Sequence, residues 1–182
     1  QPKAPARTAA GLTDGIRQLW EELDALTMPI FAMHGTADKL TAPSGSRMLI
    51  HHAPATDKTL RISYMLSYAH PMLKSQFVSY TLNGSSSFEE TIAPARTFCL
   101  KEESDALRAA GFGKGATYEN TLVVGEEGVI QNRLRFDDEF ARHKVLDLLG
   151  DLYLLGAHLK AHVIAVKSGH PLNVKLLKKL DQ

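Results

Sequence analysis

Hydrophobic residues follow one pattern before about residue 62 and a different one after it. In the first part, apolar residues recur every three to four positions between residues 12 and 23, which predicts a helix. An apolar run at residues 29–33 predicts a buried strand, and a second helix and strand are predicted at 44–52 and 59–62. Residues 13–62 thus have the order α-β-α-β, which favours a small parallel sheet.

The part after residue 62 alternates between short strands and helices. Residues 61–66 and 76–82 have the alternation of two hairpin strands. Further strands are predicted at 121–124, 128–130 and 161–166, and helices at 102–110, 137–155 and 172–180. These elements predict an α+β fold, in which a two-layer domain of sheet and helices at 62–182 follows a small βα-containing segment at 1–61.

The helix predicted at 137–155 carries three polar side chains on one face. His143 and Asp147 are four positions apart, so their side chains project together about 6 Å apart, and Asp151 continues this face one turn later. Asp137 is predicted to cap the helix, whose remaining surface is largely apolar and is expected to be buried. Burial of the polar groups without partners would cost roughly 2–7 kcal/mol each, so a metal or a mutual hydrogen-bond network is expected. An exposed polar stripe without function is the alternative.

Composition narrows the possible functions only slightly. The chain has 182 residues, of which 44% are hydrophobic and 23% charged, and a net charge of +1. These values fit one domain or two small ones and give no reason to expect nucleic acid as a partner. No apolar run reaches the roughly 18 residues of a membrane-spanning helix. The single Cys99 excludes an internal disulfide and suits a reducing, cytoplasmic location.

His170 follows the apolar strand predicted at 161–166, at the end of the run Lys167-Ser168-Gly169-His170. This position is one where active-site groups often gather, although a loop histidine without a catalytic role is the alternative. Imidazole and carboxylate ligands suit zinc, but a catalytic zinc takes three protein ligands and one water. His143 and Asp147 alone are therefore an incomplete ligand set.

Four motifs carry a family resemblance. They are His-Pro at 70–71, Ile-Ala-Pro-Ala-Arg-Thr-Phe at 92–98, the helical stretch 136–156, and Lys-Ser-Gly-His-Pro-Leu-Asn at 167–173. With these motifs, residues 62–182 resemble the C-terminal domain of UDP-3-O-acyl-N-acetylglucosamine deacetylase, the zinc enzyme of lipid A synthesis. The resemblance implies hydrolysis of an N-acetyl amide by a water that zinc activates.

The resemblance also implies catalytic roles. His143 and Asp147 would be zinc ligands, and His170 would stabilise the oxyanion and protonate the leaving amine. Asp151 would orient His170 and pair with its charge. Thr97 would contact the tetrahedral intermediate.

Further implied roles concern the substrate, a UDP-sugar that carries an acyl chain. Phe98 and Lys144 would contact the sugar-nucleotide, and a β-α-β insert near 100–130 would house the acyl chain. The apolar content of the insert suits such a channel, although it equally suits packing.

The chain departs from the family in one respect. The family's first domain supplies a third zinc ligand and the general base as an adjacent Glu-His pair, and this sequence has no Glu-His dipeptide. His34, His51 or His52, a water, or a second chain could fill the third position, and spacing does not select among them. Self-association is plausible, because a missing domain would leave an apolar face uncovered.

Residues 3–61 resemble instead the C-terminal part of a monoacylglycerol lipase-like α/β-hydrolase, through the run at 26–40. Asp38 would be the triad acid, and His70 lies near the spacing of the triad histidine, although its context fits the deacetylase better. No Gly-x-Ser-x-Gly motif is present, so the serine nucleophile is missing. The junction near residue 62 could come from a natural fusion, a generated sequence or an engineered chimera.

Three hypotheses follow. The first is a zinc-dependent deacetylase whose turnover is weak or absent, because the general base and the third ligand are missing. The second is a catalytically inert chimeric fold. The third, an esterase remnant that retains Asp38 but lacks the nucleophile, has the least support.

Overall fold

The computed structural model describes residues 59–82 and 87–180, together with the backbone of residues 30–34. These ranges contain both strands and helices, and the strands form two sheets. The α+β fold class is therefore confirmed. Among the described residues, none of the helices is both long and apolar enough to cross a membrane.

The larger sheet has four strands in the order β1-β7-β2-β3. Its members are β1 (Ile30–His34), β2 (Leu60–Leu66), β3 (Gln76–Leu82) and β7 (Ala161–Val166). Strand β7 pairs in parallel with both β1 and β2, whereas β2 and β3 form an antiparallel pair. The predicted hairpin and the predicted strand 161–166 are thus confirmed, and β1 is hydrogen-bonded into the same sheet.

The smaller sheet contains β4 (Thr97–Leu100), β5 (Thr121–Gly125) and β6 (Gly128–Val129). Helix α2 (Lys101–Ala109) connects the parallel strands β4 and β5. The other described helices are α1 (Ser87–Thr91), α3 (Glu139–Tyr153) and α4 (His170–Leu180).

The hydrophobic core lies between helix α3 and the larger sheet. Alternate residues of β2 point into it, and they meet a continuous apolar surface of α3 formed by Val145, Leu148, Leu149 and Leu152. The largely apolar surface that was expected to be buried is not buried throughout, because Tyr153 is 71% exposed. Its position at the last turn of α3 places the ring beyond the edge of the core.

The start of α3 differs from the prediction. Asp138, not Asp137, is the N-cap residue, and its side chain makes no capping hydrogen bond. The side chain of Gln76, from β3, takes this role: its oxygen accepts a hydrogen bond from the N–H of Ala141 and its nitrogen donates to the carbonyl of Asp137, both at 2.9 Å. A free N–H at the helix start is thereby satisfied by a strand rather than by the local sequence.

Candidate metal and catalytic site

His143 is held in a defined orientation by the backbone that precedes β4. Its Nδ1 lies 3.1 Å from the carbonyl oxygen of Ala95. A carbonyl can only accept, so Nδ1 carries the proton, and in the neutral ring the lone pair is left on Nε2. This arrangement is typical of metal-binding histidines, whose second nitrogen is fixed by a carbonyl or carboxylate.

Asp147 lies one helical turn after His143 and faces it. The Oδ1 atom of Asp147 is 3.3 Å from Nε2 of His143, and both side chains are 15% exposed. The other oxygen, Oδ2, accepts a hydrogen bond from Nζ of Lys144 at 2.5 Å. One oxygen of the carboxylate is therefore neutralised by a lysine, while the other is directed at the imidazole.

The spacing of these two atoms fits a zinc ion. Bonds of about 2.0–2.2 Å in a tetrahedron place two ligand atoms about 3.4 Å apart. The observed 3.3 Å between the imidazole nitrogen and the carboxylate oxygen agrees with this value. Within residues 59–82 and 87–180, however, no cluster of three or more His, Cys, Asp or Glu side chains is arranged to hold a metal. The described residues thus offer two donors of a suitable kind and no complete ligand set.

His170 stands beside this pair, at the first residue of α4. Its Nδ1 donates to the carboxylate of Asp151, 2.8 Å from Oδ2, while its Nε2 lies 3.9 Å from Oδ1 of Asp147. The amide of Asn173 donates to the same Oδ2 of Asp151 at 2.7 Å. Asp151 therefore fixes the ring and turns its second nitrogen toward the side of Asp147, while the ring itself is 62% exposed.

The turn that carries His170 is anchored from the sheet. The hydroxyl of Tyr64, in β2, donates to the carbonyl of Ser168 at 2.5 Å. The adjacent Lys167 adopts a left-handed backbone conformation with φ of 52°, and its N–H donates to the carbonyl of Met65. Burial raises the pKa of the Tyr64 phenol far above its usual range, and the nearby charges of Tyr68 and Asp147 act in the same direction. Tyr64 is therefore a permanent hydrogen-bond donor to this turn at ordinary pH.

The three residues expected to contact the substrate or the intermediate differ in their exposure and in the side chains that they contact. Thr97 is exposed at the start of β4. The ring of Phe98 packs edge-on against Tyr68 and Phe140, with centroid distances of 5.7 and 4.8 Å. Lys144 is 17% exposed and points at Asp147. The expected contact of Thr97 with the tetrahedral intermediate, and those of Phe98 and Lys144 with the sugar-nucleotide, remain predictions.

Sequence reasoning missed the roles of Asn173, Tyr64 and the carbonyl of Ala95. Asn173 lies three positions after His170, a spacing that places both on one helix face, so it could have been found by the criterion that selected His143 and Asp147. The other two contacts join residues 104 and 48 positions apart, and no local pattern indicates them.

Several predicted candidates do not join this cluster within the described residues. His51, His52 and Asp38 lie outside the described ranges, and of His34 only the backbone at the end of β1 is described. The Nδ1 atom of His70 accepts a hydrogen bond from the N–H of Met72 at 3.2 Å, which is a local turn contact. No described residue therefore supplies the third zinc ligand.

An apolar cavity of about 280 Å³ lies at the end of α3, and its walls include Leu60, Leu152, Tyr153 and Lys160. None of the residues around it belongs to the cluster of His143, Asp147, Asp151 and His170. The cluster therefore does not line this cavity.

Comparison with known proteins identifies the family. The LpxC family model, described as UDP-3-O-acyl N-acetylglycosamine deacetylase, matches residues 33–182. The UDP-3-O-acyl-N-acetylglucosamine deacetylase of Anaeromyxobacter dehalogenans is 37% identical over 171 residues, which are 87% of this chain and 55% of that protein. The proteins of the same name from Thermodesulfovibrio yellowstonii and Leptospira biflexa are 42% and 34% identical, over 66% and 90% of this chain. They are matched over 41% and 50% of their own lengths, so the chain spans about half the length of these relatives.

The resemblance of residues 3–61 to an α/β-hydrolase receives no support from these comparisons. The deacetylase match begins at residue 33 and so includes much of that segment. A short apolar strand followed by a glycine turn occurs in many parallel βα units, and the run at 26–40 was therefore too short to identify a family. The family model covers most of the chain, and the conclusion is that this chain belongs to the family of UDP-3-O-acyl-N-acetylglucosamine deacetylases.

Proposed function

We propose that this chain carries the zinc-binding and proton-donating part of a deacetylase site that acts on UDP-3-O-acyl-N-acetylglucosamine. The relatives are named for this activity, and the whole protein's reaction is part of the proposal. The observation that carries it is the 3.3 Å separation of Nε2 of His143 and Oδ1 of Asp147, which suits two ligands of one zinc ion.

The residues beside these ligands suit hydrolysis of an amide. When bound, zinc lowers the pKa of a water and polarises a carbonyl. His170 is proposed to stabilise the charge that develops on the carbonyl oxygen and to protonate the departing amine. Asp151 is proposed to hold the proton on Nδ1 of His170 and to orient the ring, since its carboxylate lies 2.8 Å from that nitrogen. Thr97, exposed at the start of β4, is proposed to contact the tetrahedral intermediate.

Substrate contacts are proposed for the residues around this cluster. Lys144, held at Asp147, is proposed to approach the sugar-nucleotide while it neutralises one carboxylate oxygen. Phe98 is proposed to contact the sugar-nucleotide with the part of its ring not covered by Tyr68 and Phe140. The unit from β4 to β6 is proposed to receive the acyl chain. Two apolar side chains of this unit are exposed, Leu107 in α2 and Phe112 just after it.

The turnover of this chain by itself is proposed to be weak or absent. The sequence contains no Glu-His dipeptide to supply a general base and a third ligand. Loss of a general base typically lowers a rate by about 10²–10⁴-fold.

The test is deacetylation of UDP-3-O-acyl-N-acetylglucosamine by the chain supplied with zinc, measured by release of the free amine. We expect a rate little above the uncatalysed one, and any excess should disappear on chelation and in the His170→Ala variant. The exposed His158 lines the cavity at the end of α3, whose walls include no residue of the cluster, and His158→Ala is therefore the matched control, which should behave as the parent chain does. A rate that survives both chelation and His170→Ala contradicts the proposal.

A further inference from the structure

A fully buried carboxylate lies one helical turn before His143. The Glu139 side chain is 0% exposed, and it pairs with Arg96, which is 9% exposed. Its Oε1 accepts from Nε of Arg96 at 2.8 Å and from the backbone N–H of Arg96 at 3.0 Å. Its Oε2 accepts from Nη2 of Arg96 at 3.1 Å and from the backbone N–H of Arg135 at 2.6 Å.

The same arginine joins several parts of the chain. Its guanidinium also donates to the carbonyls of Glu119 and Arg133, at 3.3 and 2.8 Å. These residues flank the strands β5 and β6. Arg135 adds a bond from its own guanidinium to the carbonyl of Pro94 at 2.7 Å. The segment 94–97 is therefore held against the start of α3 by several charge-assisted bonds.

This segment is the one that orients His143. Ala95 precedes Arg96, and its carbonyl accepts the hydrogen bond from Nδ1 of His143. Glu139 and His143 are four positions apart on α3, so one face of the helix contacts two successive residues of the segment. A shift of Arg96 would move the carbonyl of Ala95, because the two residues share a peptide unit.

Taking the proposed function as given, we propose that Glu139 and Arg96 are positioning residues, which hold the Ala95 carbonyl so that His143 keeps its proton on Nδ1 and presents Nε2 to the zinc ion. They act through the backbone and touch neither metal nor substrate. Burial raises the pKa of the Glu139 carboxyl, but the hydrogen bonds from Arg96 and Arg135 outweigh it and hold the pKa below its usual value. Glu139 therefore stays charged at neutral pH, and its hydrogen bonds to Arg96 and Arg135 are kept.

The test compares Glu139→Gln and Arg96→Lys with the parent chain by two measurements. Two-bond ¹H–¹⁵N correlation spectra, recorded before and after zinc is added, report which nitrogen of His143 carries the proton. Competition with a chromophoric chelator reports zinc affinity. We expect both variants to show a mixture of His143 tautomers and a zinc affinity about 10–100-fold lower, the usual effect of losing support behind a ligand.

The control is Lys101→Ala, which breaks the exposed pair of Lys101 with Asp105 and should leave both readouts unchanged. Circular dichroism identifies the variants that fold. If Glu139→Gln does not fold, the inference is tested on Arg96→Lys, which keeps a cation at the site. A folded variant that retains the Nδ1–H tautomer of His143 overturns the inference. In that case the pair of Glu139 and Arg96 contributes to stability and does not position His143. If the parent chain takes up no zinc, the proposed function fails. The comparison of His143 tautomers still tests whether Glu139 and Arg96 orient His143.

Discussion

Asp151 accepts a hydrogen bond from Nδ1 of His170 at 2.8 Å, although the two residues lie on different helices and 19 positions apart in the chain. The carboxylate is 13% exposed, whereas the imidazole is 62% exposed. The pair therefore has a fixed half on α3 and an accessible half on α4. One ring nitrogen of His170 is thus held by the carboxylate, while most of the ring faces solvent.

We predict that Asp151→Asn releases the ring of His170. A carboxylate only accepts, whereas an amide has an accepting oxygen and a donating NH2 group, so the substituted side chain can turn either one toward Nδ1 of His170 and no longer imposes a proton on that nitrogen. Imidazole ¹⁵N shifts should change from a single Nδ1–H tautomer to a mixture. Asn173→Leu provides the control, since it removes the second donor but keeps the carboxylate, and the tautomer of His170 should persist. An unchanged tautomer in Asp151→Asn would show that Asp151 does not orient the ring.

A second prediction concerns the start of α3. Gln76→Leu removes both bonds that the Gln76 side chain makes to the helix and should lower the free energy of unfolding by about 1–2 kcal/mol. Gln76→Glu retains an acceptor for the N–H of Ala141 and places a negative charge at a helix start, so its free energy of unfolding should fall less than that of Gln76→Leu. Urea denaturation of both variants measures the difference. Equal losses would contradict the capping role.

Removal of the Tyr64 hydroxyl tests the anchor of the His170 turn. Tyr64→Phe keeps the buried ring but leaves the carbonyl of Ser168 without this donor, so stability should fall by about 1 kcal/mol. The exposed Tyr153→Phe is the matched control, and its stability should stay near that of the parent. Protection of the amides at 167–170 from hydrogen exchange should decrease only in Tyr64→Phe. The same protection in both variants would argue against an anchor.

The buried pair of Glu139 and Arg96 predicts a dependence of stability on pH. The pKa of Glu139 is lowered in the folded state, so its contribution is fully present above its unfolded pKa of about 4.3 and is lost as pH falls through the lower folded value. Glu139→Gln should therefore be less stable than the parent chain by about 3 kcal/mol at pH 7, and the gap should narrow below about pH 4. Chemical denaturation at pH 7, 5 and 3 measures it. A gap that is constant over this range would contradict the ionised pair.

The sequence predicted elements well where the signal is local. Strands β2, β3 and β7 have alternating or wholly apolar residues, and the predicted ranges agree with the structure. The face shared by His143, Asp147 and Asp151 followed from helical spacing. The expectation was that these groups need a metal or a mutual hydrogen-bond network, and each of them has a polar partner in the structure.

Contacts between distant residues could not be predicted in this way. Gln76 reaches Ala141 across 65 positions, and Glu139 reaches Arg96 across 43. Neither residue lies in a local pattern that distinguishes it from an ordinary surface glutamine or glutamate. The expected Asp137 cap was wrong for the same reason, since local preference for an acidic cap was overridden by a side chain from the sheet.

Zinc titration of the chain, in competition with a chromophoric chelator, tests whether His143 and Asp147 are ligands of one zinc ion. We predict one bound zinc per chain, lost in His143→Ala and in Asp147→Asn and retained in His158→Ala. Zinc should displace no proton from Nδ1 of His143, because that nitrogen donates to the carbonyl of Ala95. Absence of zinc uptake at micromolar supply, or uptake that is equal in all three variants, would contradict the claim and leave the 3.3 Å contact as an ion pair between an imidazolium and a carboxylate.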